Sequence, residues 1–258
     1  MRITALVENT VGNGCVECEH GLSLYIETEK HKILFDMGQS ALFLQNARAL
    51  GVDIAAVDMA VLSHGHYDHG GGLSAFLQAN TNAPVYISRY AFEPHYNGTE
   101  KYIGLDVAIR EHERLVFTEE EHPIADGITL YHTHERAKSF DLGSFGLNMV
   151  KDGTLVPDDF RHEQCLLIEE AGKRVLFSGC SHQGILNIAT WFHPNVLVGG
   201  FHFSKLPLDE TLIAYAAYLN GFDTVYYTGH CTGEEQYRFM KERMENLHYL
   251  AAGASIVI

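Results

Sequence analysis

Short apolar runs alternate along the first third of the chain with stretches of helical periodicity. Three early runs rich in β-branched and aromatic residues, at 3–8, 22–27 and 32–38, predict strands. A helix is predicted to begin at Ser40 and to end at Gly51. The run VDMAVLSH (57–64) predicts a further strand, followed by a helix at GLSAFLQA (72–79) and a strand at PVYIS (84–88).

The last hundred residues repeat this alternation. Helices, one of them capped by Asp209, are predicted between further strands. These strands are predicted at five segments: QCLLIEE, KRVLFSGCSH, NVLVGGFHF, TVYYTGHC and ASIVI. The two halves resemble each other, since each has apolar strands that end in glycine and polar residues. We therefore predict an α/β fold with two packed sheets between outer layers of helices.

The pattern is weaker from about Tyr90 to Asp159, where histidines, aromatic residues and loop residues accumulate. Such a stretch is typical of an insertion or a substrate-facing lid. We predict a single domain over residues 1–258 in which the segment 90–159 shapes a pocket.

Composition and charge narrow the classes of function. The chain carries a formal net charge of −15, which disfavours binding to nucleic acid, and no apolar run approaches a membrane span. The first residues lack the apolar segment of a secretory signal, so a cytoplasmic location is expected. The five cysteines are expected to be reduced, and Cys15 and Cys18 are interpreted as two loop thiols rather than a zinc or redox pair.

The stretch LSHGHYDHGGGL (62–73) holds the strongest chemical signal. His64, His66, Asp68 and His69 follow a predicted strand directly, and three glycines follow them. Imidazole and carboxylate groups are the usual ligands of zinc, although iron and manganese also accept them. Four such ligands at this spacing predict a site shared by two divalent ions, as in hydrolases that use a metal-activated hydroxide. The glycines are expected to let the backbone turn tightly.

These residues match the signature of the metallo-β-lactamase fold superfamily, and the resemblance continues beyond the histidine loop. Five further segments, which span most of the chain, carry it: EHGLSLYIE, ILFDMGQS, FSGCSHQGI, GGFHF and GHCTG. They resemble the branch of the superfamily that contains dihydropterin–ribofuranosyl-aminobenzene phosphate synthase. The resemblance implies a four-layer αββα sandwich of two mixed sheets flanked by helices. It also implies that Asp36 is a buried aspartate that supports the site.

The resemblance implies further ligands. His230 lies where the superfamily has its last histidine ligand, which would place it with Asp68 and His69 around the second ion. Cys180 stands where many members have an aspartate that bridges the metals, so it is either a thiolate ligand or a small residue packed beneath the site.

The third ligand of the first ion is open to more than one interpretation. His182 is the preferred partner of His64 and His66, and His132 and His134 are rival candidates. His202 is interpreted as a substrate contact or proton donor, while His20 and His95 are candidates for the mouth of the site.

Three functions follow as hypotheses. The first is a binuclear, zinc-favouring hydrolase or related transferase for a small, phosphorylated or otherwise anionic molecule, with Asp68 orienting the nucleophile. The second is the synthase activity of the similar branch, in which the metals hold a phosphate. The third is a metal-containing binding or sensor protein without turnover. The histidine at position 66 disfavours a redox diiron enzyme, which usually has glutamate there.

Overall fold

The computed structural model describes residues 1–258, and its chain forms eighteen strands, six α-helices and three short 3₁₀ turns. The strands are β1 (Arg2–Val7), β2 (Ser23–Glu27), β3 (Lys32–Phe35), β4 (Met59–Val61), β5 (Val85–Ser88), β6 (His95–Asn97), β7 (Lys101–Tyr102), β8 (Leu115–Thr118), β9 (Glu121–Ala125), β10 (Ile128–His132), β11 (Leu147–Lys151), β12 (Thr154–Pro157), β13 (Gln164–Glu170), β14 (Lys173–Ser178), β15 (Val196–Gly199), β16 (Val225–Thr228), β17 (Leu247–Tyr249) and β18 (Ser255–Val257). The helices are α1 (Leu42–Ala49), α2 (Tyr67–Gly70), α3 (Leu73–Ala79), α4 (Ile185–Phe192), α5 (Glu210–Asn220) and α6 (Glu234–Lys241).

Two seven-stranded sheets share one plan. The first has the order β18-β1-β2-β3-β4-β5-β8 and the second has the order β9-β10-β13-β14-β15-β16-β17. In each sheet, taken in these directions, the first three pairings are antiparallel and the last three are parallel. The similarity between the two halves of the sequence therefore corresponds to a repeated strand arrangement.

The burial pattern of the strands produces four layers. Along β3, Ile33 and Phe35 face the second sheet, whereas Leu34 packs beneath helices α1 and α3. Along β14, Val175 and Phe177 fill the space between the sheets, and Leu176 packs against α4 and its neighbours. Both sheets are covered on both faces, which explains why their central strands are apolar without alternation. The αββα architecture predicted from the sequence is confirmed.

The segment 90–159 is divided between the main sheets and a small sheet of its own. Strand β8 extends the first sheet, and β9 and β10 extend the second. The other strands of the segment form a separate four-stranded sheet with the order β12-β11-β6-β7. Residues from β6, β7 and β11 line the cavity described below.

The sequence predicted the N-terminal cap of α5 correctly and placed that of α1 one residue too early. Asp209 caps α5 as predicted, because its side chain accepts a hydrogen bond from the backbone N–H of Thr211. Helix α1 is capped at Ala41 rather than at Ser40, whose hydroxyl accepts from the N–H of Leu42 at 3.1 Å one residue before the cap. No helix is long and apolar enough to cross a membrane.

Candidate metal centre

The candidate ligands come from the carboxyl ends of neighbouring strands in both sheets. The histidine loop follows β4, Cys180 and His182 follow β14, and His230 follows β16. After strands β3, β15 and β16 a non-glycine residue adopts a left-handed backbone, with φ of 59° at Asp36, 57° at His202 and 51° at His230. Such conformations cost free energy and persist where packing enforces them, which is common at functional sites.

The buried carboxylate of Asp36 fixes the orientation of two of the histidines. It accepts hydrogen bonds from the Nδ1–H of His69 at 2.7 Å and from the hydroxyl of Ser63 at 2.8 Å. The Ser63 hydroxyl in turn accepts from the Nδ1–H of His64 at 2.8 Å. Both imidazoles therefore carry their proton on Nδ1, which leaves Nε2 free as a metal donor. The supporting role that the sequence resemblance implied for Asp36 agrees with this geometry.

A first cluster consists of His64, His66 and His182. Their ligand-capable nitrogens lie within 4.8 Å of one another. The Nε2 atoms of all three are buried and have no hydrogen-bond partner. Burial lowers the pKa of each imidazole well below its ordinary value of 6.5, so all three are neutral near pH 7. Three neutral imidazoles with unpaired nitrogens facing one another form a suitable cation site.

A second cluster consists of Asp68, His69 and His230. The Nε2 atoms of the two histidines are 3.1 Å apart, and Nε2 of His230 is 3.4 Å from Oδ2 of Asp68. The Nδ1–H of His230 donates to Oδ1 of Asn9 at 2.9 Å, which aims its Nε2 into the cluster. His20 adds a fourth contact from the protein surface, 3.2 Å from Oδ2 of Asp68.

The charges of the second cluster differ from those of the first. Burial opposes the charged forms of Asp68 and His69, but the imidazole of His69 and, to a smaller extent, the contacts with His20 and His230 hold the pKa of Asp68 well below its usual range. Although burial lowers the pKa of His69, the carboxylates of Asp36 and Asp68 raise it above 6.5 overall. The ionised carboxylate of Asp68 would attract a divalent cation, which would displace the proton of His69.

Cys180 lies between the two clusters. Its Sγ is 3.1 Å from Nε2 of His69, and the ligand atoms of His64, His69 and Cys180 lie within 4.8 Å of one another. The sulfur is therefore close to donors of both clusters, at the position where the resemblance places a bridging aspartate. Burial raises the pKa of this thiol well above its ordinary value in the metal-free protein, so thiolate formation depends on a bound cation.

The structure places the rival histidines elsewhere. His132 lies at the end of β10, where its Nε2 contacts the hydroxyl of Thr118 at 3.2 Å. The ring of His134 packs edge-on against Tyr90 at 5.9 Å between centroids. Neither joins His64 and His66, whose neighbour is His182. The interpretation of His95 as a residue at the mouth is wrong, because it is fully buried and its Nδ1–H donates to Asp158 at 2.8 Å.

A cavity of about 440 Å³ opens above both clusters. His202 lines it, with its ring 4.4 Å from that of His182 and its Nδ1 unpaired. Burial, with smaller effects from His230 and Lys205, lowers the pKa of His202 to about 4. The position agrees with the prediction of a residue that faces the substrate. His20 also lines the cavity and is exposed, as expected for the mouth.

Two buried glutamates that the sequence analysis did not single out hold the ligand-bearing turns. Glu163 accepts hydrogen bonds from the backbone N–H groups of His182 at 2.7 Å and Gln183 at 2.9 Å. Burial raises the pKa of Glu163 to about 7 against the effect of these donors. Glu8 accepts from the backbone N–H of His230 in the same way. No sequence motif indicates these roles, because each carboxylate is distant in sequence from the turn that it holds.

A second unexpected group lies behind the histidine loop. The backbone N–H of Gly65 donates to Nδ1 of His162 at 2.9 Å, which places the proton of that imidazole on Nε2. The Nε2–H faces the carboxylate of Asp158 at 3.5 Å. His162 and Asp158 are both buried. The pair fixes the backbone between His64 and His66.

The three glycines after the loop lead through a turn between α2 and α3, where the backbone is closely packed. None of Gly70, Gly71 and Gly72 has a positive φ. A side chain at Gly71 would overlap the carbonyl oxygens of Gln39 and Tyr67, and one at Gly72 would overlap the carbonyl oxygen of Met37. The expected turn is present, but the physical reason for glycine is the approach of neighbouring backbone rather than a left-handed conformation.

The donor set fits a pair of divalent ions on chemical grounds. The first cluster offers three neutral imidazoles. The second offers a carboxylate, two imidazoles and the adjacent thiol of Cys180. Nitrogen, sulfur and carboxylate donors in this combination suit zinc and related transition metals better than magnesium or calcium. The buried nitrogens without partners would be costly unless a cation or proton satisfied them.

Comparisons with known proteins agree with this geometry. A family model described as the metallo-beta-lactamase superfamily matches residues 16–230. An uncharacterised protein of Methanocaldococcus jannaschii is 32% identical over 240 residues, which cover 90% of each chain. A second protein of that organism, named 7,8-dihydropterin-6-methyl-4-(beta-D-ribofuranosyl)-aminobenzene-5'-phosphate synthase, is 28% identical over 99% of this chain and 96% of its own length.

Among solved structures, Tm1679, described as a metal-dependent hydrolase of the beta-lactamase superfamily, superimposes with a TM-score of 0.85 at 29% identity. The superposition covers 100% of this chain and 99% of the other. The match to the family model includes the histidine loop and extends to His230. The chain belongs to the metallo-β-lactamase superfamily.

Proposed function

We propose that this protein binds two divalent ions, with zinc favoured, and acts as a hydrolase on a small anionic molecule. The observation that carries the proposal is the pair of adjacent clusters, His64–His66–His182 and Asp68–His69–His230, which meet at Cys180 beneath an open cavity. The first cluster supplies three donors, so an ion there would keep a coordination position for water or substrate.

The residues around the clusters support hydrolytic chemistry. A pair of divalent ions in such a site supplies a water nucleophile at neutral pH and stabilises developing negative charge. Asp68 lines the cavity as well as the second cluster, so its second carboxylate oxygen is a candidate to orient that water. His202 is neutral near pH 7 and has an unpaired Nδ1, so it would hydrogen-bond to the substrate as a neutral imidazole.

The cavity would admit a small substrate, and two lysines in its lining could contact a negatively charged group. Its volume of about 440 Å³ suits a ligand the size of a metabolite. Lys101 and Lys205 line it, although the whole chain has a formal charge of −15. Asp68, Glu234 and Glu235 line the cavity as well, so the lining is not cationic overall and the two lysines are local contacts. We infer that the lysines bind an anionic group, such as a phosphate, whose charge the metals also attract.

A related group transfer is the second candidate. It is favoured by the relative named as a pterin synthase, which matches nearly the whole of this chain. In that case the ions and the two lysines would hold a diphosphate leaving group rather than a substrate for hydrolysis. This argument rests on similarity at 28% identity and is weaker than the argument from the site.

Metal-dependent turnover tests the proposal. Purified protein is assayed on phosphomonoester, phosphodiester, lactone and thioester substrates, after loading with zinc and after treatment with a chelator. We expect turnover of at least one anionic class, lost with the chelator and in His64→Ala, and retained in His132→Ala as a matched control. If two ions are bound and all four substrate classes are inert, the result contradicts the hydrolase proposal.

A further inference from the structure

Cys231 is a buried thiol that the mechanism above does not use. It lies in the 3₁₀ turn His230–Thr232 that follows β16, next to a candidate ligand. The ligand atoms of Cys180, His230 and Cys231 all lie within 4.8 Å of one another. Both thiols line the cavity, although each is almost completely buried. Two sulfurs from different strand ends therefore meet at one side of the second cluster.

The neighbouring backbone leaves room for this sulfur. A side chain at Gly200 would overlap Sγ of Cys231, so the space beside Gly200 is filled by the thiol. The N–H of Gly200 donates to the carbonyl oxygen of Gly179 at 2.8 Å, which joins the end of β15 to the turn that carries Cys180. The two sulfurs thus sit on turns that are fixed to each other through Gly200.

The hydrogen bonding of Cys231 leaves its sulfur available. As a thiol, it has the carbonyl oxygen of Cys180 as an acceptor at 3.5 Å, and thiols are weak donors. Cys180 itself lies 3.1 Å from Nε2 of His69. Loss of both thiol protons would therefore break only weak hydrogen bonds and would present two thiolates to the cluster.

We propose that Cys231, together with Cys180, is a thiolate ligand of the ion held by the second cluster. The proposal rests on the metal centre proposed above and specifies its chemistry. Each thiol would release one proton to solvent as its sulfur–metal bond forms. Sulfur donors select zinc, cobalt and other thiophilic ions over manganese and magnesium. The second position would then differ from the first, whose donors are all imidazoles.

Cobalt substitution detects the sulfur ligands directly. A Cys15→Ser/Cys18→Ser background removes the two exposed thiols, which would otherwise compete for added metal. In this background, Co²⁺ should give a near-ultraviolet sulfur-to-cobalt charge-transfer band. Cys231→Ser and Cys180→Ser should each remove about half of its intensity, and the double variant should remove all of it. Cys165→Ala is the matched control, because this buried thiol packs beneath the helices of the second sheet.

The outcomes separate this proposal from the proposed function. Full band intensity in Cys231→Ser would overturn the assignment of Cys231 while leaving the metal centre intact. Absence of the band in a background that binds two cobalt ions would overturn both thiolates. A background that binds no cobalt would instead contradict the metal centre itself. Cys231→Ala serves as a second variant, since it buries no hydroxyl, and thermal unfolding with bound cobalt verifies that both variants are folded.

Discussion

The Nε2 atoms of His69 and His230 face each other at 3.1 Å in the floor of the cavity. The Nδ1–H of His69 is committed to Asp36, and the Nδ1–H of His230 is committed to Asn9. Two lone pairs at this distance repel each other unless a cation or a proton lies between them. In the metal-free protein, Asp36 and Asp68 overcome the effect of burial and raise the pKa of His69, which favours a proton there. A metal ion would displace that proton.

Removal of metal should lower the stability of the protein. An ion at a hundredfold excess over its dissociation constant adds about 2.7 kcal/mol, so two ions would add about 5 kcal/mol. For a chain of this size, that corresponds to a fall in Tm of roughly 10 °C or more on treatment with a chelator. Thermal unfolding with and without chelator measures this effect. An unchanged Tm in protein that has lost two ions would contradict the linkage of the sites to folding.

The two interpretations of the third ligand make opposite predictions about metal content. His182→Ala should lower the affinity of the first position and leave one tightly bound ion per chain, because three imidazoles become two. His132→Ala should retain both ions, since its ring contacts Thr118 rather than His64 or His66. Elemental analysis after dialysis against a weak chelator measures both variants. Loss of an ion in His132→Ala alone would reverse the assignment.

Candidate metal ligands that are close together in the sequence could be predicted, whereas the residues that position them through hydrogen bonds could not. The loop 64–69 carries four donors at fixed spacing, and the strand before it sets their common direction, so local sequence was sufficient. His182 could be ranked above its rivals because its strand is strongly patterned. Glu163, Glu8 and His162 act through contacts across as many as 222 residues. Such contacts depend on how the two sheets pack, which no single segment specifies.

The fold shows the same contrast between features that local sequence indicates and features that depend on contacts between distant segments. Central strands such as β3 and β14 were evident because burial on both faces makes them continuously apolar. Strands β6 and β7 have three and two residues and lie partly exposed, so they have no clear apolar pattern. The reason for the glycines at 70–72 was also hidden, because steric exclusion by Gln39 and Met37 appears only once the chain is folded.

Gly71→Ala should destabilise the protein through that exclusion. The added methyl group would overlap backbone carbonyl oxygens, which cannot move as a flexible side chain can. We expect a loss of about 1–3 kcal/mol in the free energy of unfolding, together with weaker metal binding. Gly14→Ala is the control, since nothing lies within 4 Å of its added methyl group. Urea unfolding measures both variants, and equal stabilities would contradict the steric argument.

His132 should make the stability of the metal-free protein depend on pH. Burial, with a smaller effect from His134, lowers its pKa from 6.5 to about 4. At a pH between these two pKa values, the imidazole of His132 is protonated in the unfolded chain and neutral in the folded chain. The free energy of unfolding therefore falls as the pH decreases. From pH 7 to pH 5 the contribution is about 2 kcal/mol. Urea unfolding of His132→Gln should show a pH dependence smaller by this amount; an unchanged slope would mean that the imidazole is protonated in the fold.

His162 should act as a positioning residue for the first cluster through its bond to the backbone of Gly65. His162→Leu removes the acceptor and should weaken metal binding at the His64–His66–His182 position by roughly 10- to 100-fold. His162→Asn should recover much of the affinity, because its Oδ1 can accept the same N–H. Competition titrations with a chelating dye measure both positions separately.

The second position provides the internal control for His162. Its ligands Asp68, His69 and His230 do not contact His162, so its affinity should stay within about twofold in both variants. A general structural role would weaken both positions together and would not distinguish asparagine from leucine. Equal losses at the two positions would therefore contradict the positioning role, whereas a selective loss that asparagine restores would establish that the bond to Gly65 holds the histidine loop in its metal-binding conformation.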